Sequence, residues 1–203
     1  LQLVLTNIVK TYGTQPLFEP VSIVLNPNDS CAITGPNGSG KTTLLKVVMG
    51  YAKPDSGELY WLLDNQTKSK LEFQDIAFAS IQMNLWEDLS VLEAVKLHFT
   101  FRESVIPDVE KEFIILFGKK MLQKKIKQLS AGWLNRLKVY LALFTEAKLL
   151  LLDEPFSNMD SQSMEVMKKY IQTYTRNKIL FVASNRQDEI DLCSSMLSLA
   201  KNS

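Results

Sequence analysis

Gly35-Pro36-Asn37-Gly38-Ser39-Gly40-Lys41-Thr42-Thr43 fits the pattern G-x-x-x-x-G-K-[ST], in which each fixed position has a physical task. Gly35, Gly38 and Gly40 let the backbone curl until successive N–H groups point inward at an anion. Lys41 carries a cation toward the β- and γ-phosphates of a nucleotide, and the Thr42 hydroxyl suits a Mg²⁺ ion held with them. A helix starting near Lys41 adds the positive end of its dipole. The flanks supply the required context. Ser30-Cys31-Ala32-Ile33-Thr34 is a compact apolar run that reads as a buried strand, and Thr43 to Met49 has helical apolar spacing stopped by Gly50. Strand, glycine loop and helix in that order mark a phosphate loop in a parallel α/β sheet, and predict binding of a nucleoside triphosphate.

The chain has 203 residues, of which 46% are hydrophobic, enough for the full core of one α/β domain with a subdomain inserted in it. Its net charge of +1 provides no long-range field to gather nucleic acid, and none is expected as a partner. Lys119, Lys120, Lys124, Lys125 and Lys127 cluster between helical stretches and read as a solvated surface, with contact to anionic lipid or a partner as the other reading. The two cysteines, Cys31 and Cys193, form no framework; Cys31 reads as a small buried hydrophobe. Without cysteine pairs or a signal-like start, the chain is expected to be cytosolic and reduced. No run approaches the length of a membrane span. The first residue is Leu1 rather than Met, so a native start is expected to be missing.

Along the chain, Leu1 to Val9 and Val21 to Leu25 look like a small sheet leading into the loop strand. Glu58 to Leu63 follows the turn at Lys53-Pro54-Asp55-Ser56-Gly57, and Asp75 to Ile81 reads as a buried strand ending at Gln82. Residues 84–147 then turn helical. Ser90-Val91-Leu92-Glu93 is a capping box opening a helix to about Glu103. Glu110 to Phe117 is a second helix closed by Gly118, and Ala131 to about Glu146 is a third. After them come the strand Leu149 to Leu152, the helix Gln162 to Thr175 and the strand Lys178 to Ala183. The helical block reads as an insertion into one parallel-sheet core rather than a second independent domain.

Leu149-Leu150-Leu151-Leu152-Asp153-Glu154-Pro155 is the second strong signal. Four leucines in a row make a strand buried on both faces, which sets Asp153 at the carboxyl edge where ligands of open α/β sheets bind. Asp153 is suited to hold Mg²⁺, directly or through water, and Glu154 to polarise an attacking water. Leu129-Ser130-Ala131-Gly132-Trp133 opens the third helix, with Ser130 as its N-cap and a second anion-binding helix start.

This order of motifs resembles the nucleotide-binding domain of ABC (ATP-binding cassette) ATPases over essentially the whole chain. The resemblance implies a P-loop NTPase parallel-sheet core, an N-terminal antiparallel β subdomain and an inserted α-helical subdomain. It also assigns Gln82 to the Q-loop, with a part in the Mg²⁺ site, Ser130, Ala131 and Gly132 to the signature, and Ser157-Asn158-Met159-Asp160 to the D-loop. Tyr12 takes the place of the aromatic that stacks on adenine. It implies a head-to-tail dimer, of two identical or two different cassettes, with ATP between one subunit's phosphate loop and the other's signature helix. A single cassette of this length suits a separate ATP-hydrolysing subunit, peripheral on the inner face of the membrane, that docks on a transmembrane permease. Leu85, Trp86 and Phe99 are candidates to line the docking groove or to be helical core.

Two departures stand out. The usual signature is L-S-G-G-Q; here Ala131 replaces the first Gly and Trp133 the Gln. Ala at that place resembles short export-type cassettes such as haem-exporter ATPases, while Trp133 reads as a packed aromatic or an interface contact. The family's switch histidine is replaced by Asn185, which hydrogen-bonds but carries no switchable proton. The one histidine, His98, lies in the helical block and reads as incidental. Asn185 raises the alternative of an ATP-gated binding module with very low hydrolysis.

Overall fold

The computed structural model describes residues 2–13, 15–63, 67–69 and 72–200; Leu1, at the head of the expected first strand, lies outside them. The elements in chain order are β1 (Gln2–Val9), β2 (Thr11–Tyr12), β3 (Gln15–Pro16), β4 (Val21–Leu25), β5 (Ser30–Thr34), α1 (Lys41–Val48), β6 (Ser56–Leu63), β7 (Thr67–Ser69) and β8 (Ile76–Ser80). Then follow α2 (Val91–Phe101), α3 (Val109–Phe117), α4 (Lys119–Leu122), α5 (Ala131–Phe144), β9 (Leu149–Asp153), α6 (Ser161–Tyr174), β10 (Ile179–Ala183), α7 (Gln187–Ile190) and β11 (Ser195–Ser198).

β9 shows why the central sheet is buried on both sides. Successive side chains of a strand point to opposite faces. Leu149 and Leu151 join a cluster with α1, β5 and the antiparallel sheet, whereas Leu150 and Leu152 join a cluster with the helical block and α6. β10 alternates in the same way, with Phe181 on the first side and Val182 on the second. These strands lie in a five-stranded sheet of order β11-β5-β10-β9-β8, parallel at each of its pairings. A second, antiparallel sheet has the order β4-β1-β6-β7. Its β1 is less regular than simple alternation implies: the register shifts between Leu5 and Ile8, at Asn7 with φ +48°. That bulge brings Ile8 into the same buried cluster as Leu3 and Leu5.

Between residues 91 and 144 four α-helices alternate with loops, and the β pairing there is limited to the isolated bridges Ser90–Lys125 and Ser104–Thr145. The expected capping box forms: the Ser90 N–H donates to Glu93 Oε2 at 2.6 Å, and Ser90 Oγ accepts from the Glu93 N–H at 3.2 Å. α2 stops two residues short of the expected end and α5 at Phe144, where Thr145 turns its hydroxyl back onto the Leu141 carbonyl at 2.7 Å. The surface lysines are exposed, and Lys127 pairs with Asp88 at 2.8 Å. Among the described residues no helix is long and apolar enough to cross a membrane.

Candidate functional site

The chain leaves β5 and, after α1 and the antiparallel strands, re-enters the parallel sheet at its far edge as β8. Loops after β5, β8, β9 and β10 therefore meet at one carboxyl edge, the place where open α/β sheets bind ligands.

The loop after β5 is the glycine-rich one. Gly35, Gly38 and Gly40 have φ of +143°, +79° and +94°. A Cβ on Gly35 would come within 2.5 Å of the Leu199 carbonyl oxygen and 2.7 Å of Ser39 Oγ, whereas Gly38 has open space and needs glycine for its conformation alone. Gly40 begins α1 without a side-chain cap, so no side chain claims the first N–H groups of that helix. Pro36 and Asn37 are exposed at the tip, and Thr43 is half-buried behind it. The Lys41 ammonium donates to the Gly35 carbonyl at 2.7 Å and the Pro36 carbonyl at 3.3 Å, and so lies within the loop. Ser39 Oγ is buried and has no hydrogen-bond partner among the described residues. A curled loop with an ammonium, free helix N–H groups and an orphaned hydroxyl fits a polyphosphate.

Beside it, Asp153 Oδ2 accepts from Thr42 Oγ1 at 2.9 Å and from Ser80 Oγ at 3.0 Å. The parallel register explains the second bond, since Ser80 and Asp153 are direct partners at the ends of β8 and β9. Two hydroxyls and a carboxylate are hard oxygen donors, the set Mg²⁺ takes alongside phosphate oxygens. Gln82 joins through its backbone, whose N–H donates to Ser80 Oγ at 3.2 Å; its side chain is exposed. Next to it, the nearly buried Lys138 of α5 donates to the Ile81 carbonyl at 2.6 Å. Burial pushes the Lys138 pKa down.

Glu154 is exposed, with φ +50°, and its N–H donates to the Ala183 carbonyl at 2.9 Å. Asn185, two residues past Ala183, accepts through Oδ1 from the Gly35 N–H at 3.1 Å. The edge thus brings together Gly35, Lys41, Thr42, Ser80, Asp153, Glu154 and Asn185.

Other expected site residues lie apart from this group. Tyr12 is 84% exposed on the β2–β3 hairpin. Ser130 caps α5, accepting from the Trp133 N–H at 3.4 Å, and Ala131 is exposed beside it. Gly132 has a reason within its own chain: a Cβ there would overlap the Asn158 carbonyl oxygen. Trp133 packs edge-on against Phe117 with ring centroids 5.7 Å apart, and the Arg136 guanidinium lies 4.6 Å above its ring. Arg136 also pairs with Asp160, whose carboxylate caps α6 by accepting from the Ser163 N–H at 2.9 Å. His98 is half-buried against Thr145 Oγ1 at 2.8 Å; burial first, then the Arg102 charge, lowers its pKa to about 4.

Sequence reading missed Ser80, Lys138, Asn135 and Glu189. Only Ser80 had a usable signal, as the terminal residue of a strand parallel to the one ending in Asp153. Glu189 is fully buried on α7, and its carboxylate accepts from the Phe156 N–H at 2.5 Å. Burial pushes its pKa up against the hydrogen bonds from Ser184 and Phe156.

A cleft of about 480 Å³ opens where α2 meets β8 and the segment following Gln82. Phe73, Trp86 and Phe101 stand at it 80%, 70% and 78% exposed. Leu85 also lines it, whereas Phe99 packs against the helical core.

Comparison with known proteins gives a consistent picture. A family model described as "ABC transporter" matches residues 18–157. A sulfate/thiosulfate import ATP-binding protein of Rhizobium meliloti is 27% identical over 96% of this chain and 56% of its own length. The chain therefore spans little more than half of that relative, and about half (53%) of a spermidine/putrescine import ATP-binding protein of Legionella pneumophila. A cytochrome c biogenesis ATP-binding export protein of Nitrosomonas europaea is 29% identical, over 82% of this chain and 79% of its own. A putative ABC transporter ATP-binding protein of Pyrococcus furiosus has the same fold, with a TM-score of 0.82 at 22% identity over 98% of both chains. So does a dimeric ATP-binding cassette in a post-hydrolysis state bound to ADP and Pi, with a TM-score of 0.82 at 24% identity over 97% of this chain and 94% of that one.

Proposed function

The chain belongs to the ABC transporter family of ATP-binding cassettes, and from that premise we propose that it binds and hydrolyses ATP as the motor subunit of a transporter whose membrane-spanning permease is a separate chain. One observation carries the reading: the Thr42 and Ser80 hydroxyls converge on the Asp153 carboxylate beside a glycine loop that holds an ammonium.

In this reading the loop from Gly35 to Thr43 binds the phosphates through its N–H groups and Lys41, and Tyr12 offers its exposed ring to the adenine. Thr42 and Asp153, with Gln82 in reach of the same edge, hold Mg²⁺, which neutralises charge on the phosphate oxygens. Glu154 orients a water for in-line attack on the γ-phosphate and takes up its proton. Asn185, fixed by the Gly35 N–H, offers its amide to the same phosphate. Ser130, Ala131 and Gly132 act from a second nucleotide-binding subunit, identical or different, closing the site across a head-to-tail dimer. Asp160 belongs to the turn that follows Glu154 and borders that interface. The apolar cleft at Trp86 and Phe101 receives a cytoplasmic helix of the permease, which holds the subunit at the inner face of the membrane. Relatives whose names specify import and export of different compounds support transport as the coupled work.

The test is Glu154→Gln in the purified chain at dimer-forming concentration with Mg²⁺ and ATP. ATP binding is retained, turnover falls by roughly 10²–10⁴-fold, and an ATP-bound dimer accumulates on size-exclusion chromatography. Unchanged turnover would remove Glu154 from the mechanism. Asn185 favours a second reading, an ATP-gated binding module with little hydrolysis, because its amide donates and accepts hydrogen bonds but does not titrate near neutral pH. Single-turnover hydrolysis in the wild-type chain separates them: clear ADP formation within a binding cycle excludes the second.

A further inference from the structure

Glu154 occupies the left-handed region at φ +50°, which side-chain-bearing residues adopt at a cost. Strain of that kind persists where the surroundings over-determine it, and it concentrates at functional sites. Two buried side chains that belong to none of the recognised motifs do the over-determining. Asn135 of α5, 3% exposed, donates through Nδ2 to the Pro155 carbonyl at 2.9 Å, the Ser157 carbonyl at 3.1 Å and the Glu154 carbonyl at 3.4 Å. Glu189 of α7, wholly buried, accepts the Phe156 N–H at 2.5 Å. One side chain grips the carbonyls of the turn and the other its amide. Asn135 does so at a cost, since its Oδ1 is buried with no hydrogen-bond partner among the described residues. A buried unpaired polar atom detracts from stability and calls for an explanation other than packing.

We propose that Asn135 and Glu189 form a two-sided clamp that holds the turn after Glu154, and with it the Glu154 carboxylate, in the geometry needed for attack on the γ-phosphate. They are positioning residues, and the assignment rests on the role given to Glu154 above. Glu189 lies beside Ser184, the neighbour of Asn185, so the clamp also ties the turn to the loop that reaches Gly35. Among the described residues no direct hydrogen bond joins either side chain to the loop from Gly35 to Thr43. Loosening the clamp therefore acts on the chemical step and spares ATP affinity.

The experiment uses Asn135→Ala, Glu189→Ala and Glu189→Gln in the full chain. ATP dissociation constants, kcat, KM and the amide hydrogen exchange of residues 154–158 are measured for each. The two alanine variants are expected to lower kcat at least about tenfold with the ATP dissociation constant within about twofold, and to speed exchange in 154–158 but not in β10. Glu189→Gln keeps the oxygen that accepts from Phe156, and returns kcat to within about threefold of wild type. Unchanged kcat and exchange in both alanine variants overturn the clamp. So does loss of ATP binding together with kcat, because that pattern marks a general folding role. If the wild-type chain binds ATP but does not hydrolyse it, the proposed motor function fails instead. The exchange of 154–158 then still decides the clamp, with unchanged exchange overturning it.

Discussion

Gly132→Ala is the substitution whose sign separates two explanations of the signature glycine. If Gly132 served only to contact a nucleotide across a dimer, alanine would be harmless to the isolated fold. It would even stabilise α5, because Ala is favoured over Gly in a helix by up to about 1 kcal/mol. The structure implies the reverse. A Cβ at 132 would overlap the Asn158 carbonyl oxygen, lie 3.1 Å from the Asn158 carbonyl carbon and 3.8 Å from Met159 Cα. All three are backbone, so no side-chain rotation relieves the clash. Asn158 is itself held in the left-handed region at φ +59°, and Asn135 grips the preceding Ser157 carbonyl, so the turn is poorly able to retreat. Overpacking costs roughly 1–3 kcal/mol; with backbone as the obstacle the upper half of that range applies, and after subtraction of the propensity gain a net loss of about 1–2 kcal/mol remains. In a chain of 203 residues each 1 kcal/mol moves the midpoint by about 2–4 °C, so a fall of about 2–8 °C is expected. Thermal denaturation followed by circular dichroism, without nucleotide, reads it directly. A midpoint equal to or above that of the wild type would refute the packing argument and leave Gly132 to the nucleotide alone.

Lys41→Ala removes the ammonium at the glycine loop and is expected to weaken ATP binding by roughly 10–100-fold, from about 1.5–3 kcal/mol for hydrogen bonds to a charged group; a fluorescent ATP analogue titrated into both proteins checks it, and equal affinities would refute the loop assignment. His98 has a folded-state pKa of about 4 against an ordinary 6.5, so below pH 6.5 the unfolded chain binds more protons and stability falls as pH drops toward 4. His98→Gln removes that dependence, and the wild type should lose up to roughly 3 kcal/mol relative to it across this window; parallel stability–pH curves for the two would contradict the buried, neutral imidazole.

The sequence was most legible where one physical constraint acts on consecutive residues. Four leucines buried on alternate faces announced β9, the glycines with Lys41 announced the loop, and Ser90 with Glu93 announced the start of α2. β11 was not legible, because Ser195-Met196-Leu197-Ser198 is a largely exposed edge strand whose pairing with β5 is long-range. Asn135 and Glu189 were silent for a related reason. Each contacts the Glu154 turn from a helix about twenty or more residues away, and nothing in the local composition marks a polar residue that will be buried. Ser80 lies between these cases, since its meaning depends on the register that aligns it with Asp153.

The departures from the usual signature and switch positions have different physical standing, and the structure sorts them by what each position is already committed to. Ala131 is exposed as the first residue of the Ser130-capped α5, so replacing a glycine there disturbs no packing and favours the helix. Trp133 extends an aromatic cluster through Phe117 to Phe113 and Tyr140, and its face supports Arg136, which in turn pairs with Asp160. The large ring therefore braces the start of α6 against α5 and is accounted for within its own chain. Asn185 is different: it is exposed and so carries little packing duty, and among the described residues its side chain bonds to the backbone of the glycine loop. A group so placed keeps the orienting hydrogen bond while giving up the titratable proton. On the proposed function the consequence would fall on the speed of hydrolysis, and nucleotide binding would rest on Gly35, Lys41 and Thr42 of the loop with Asp153 beside them.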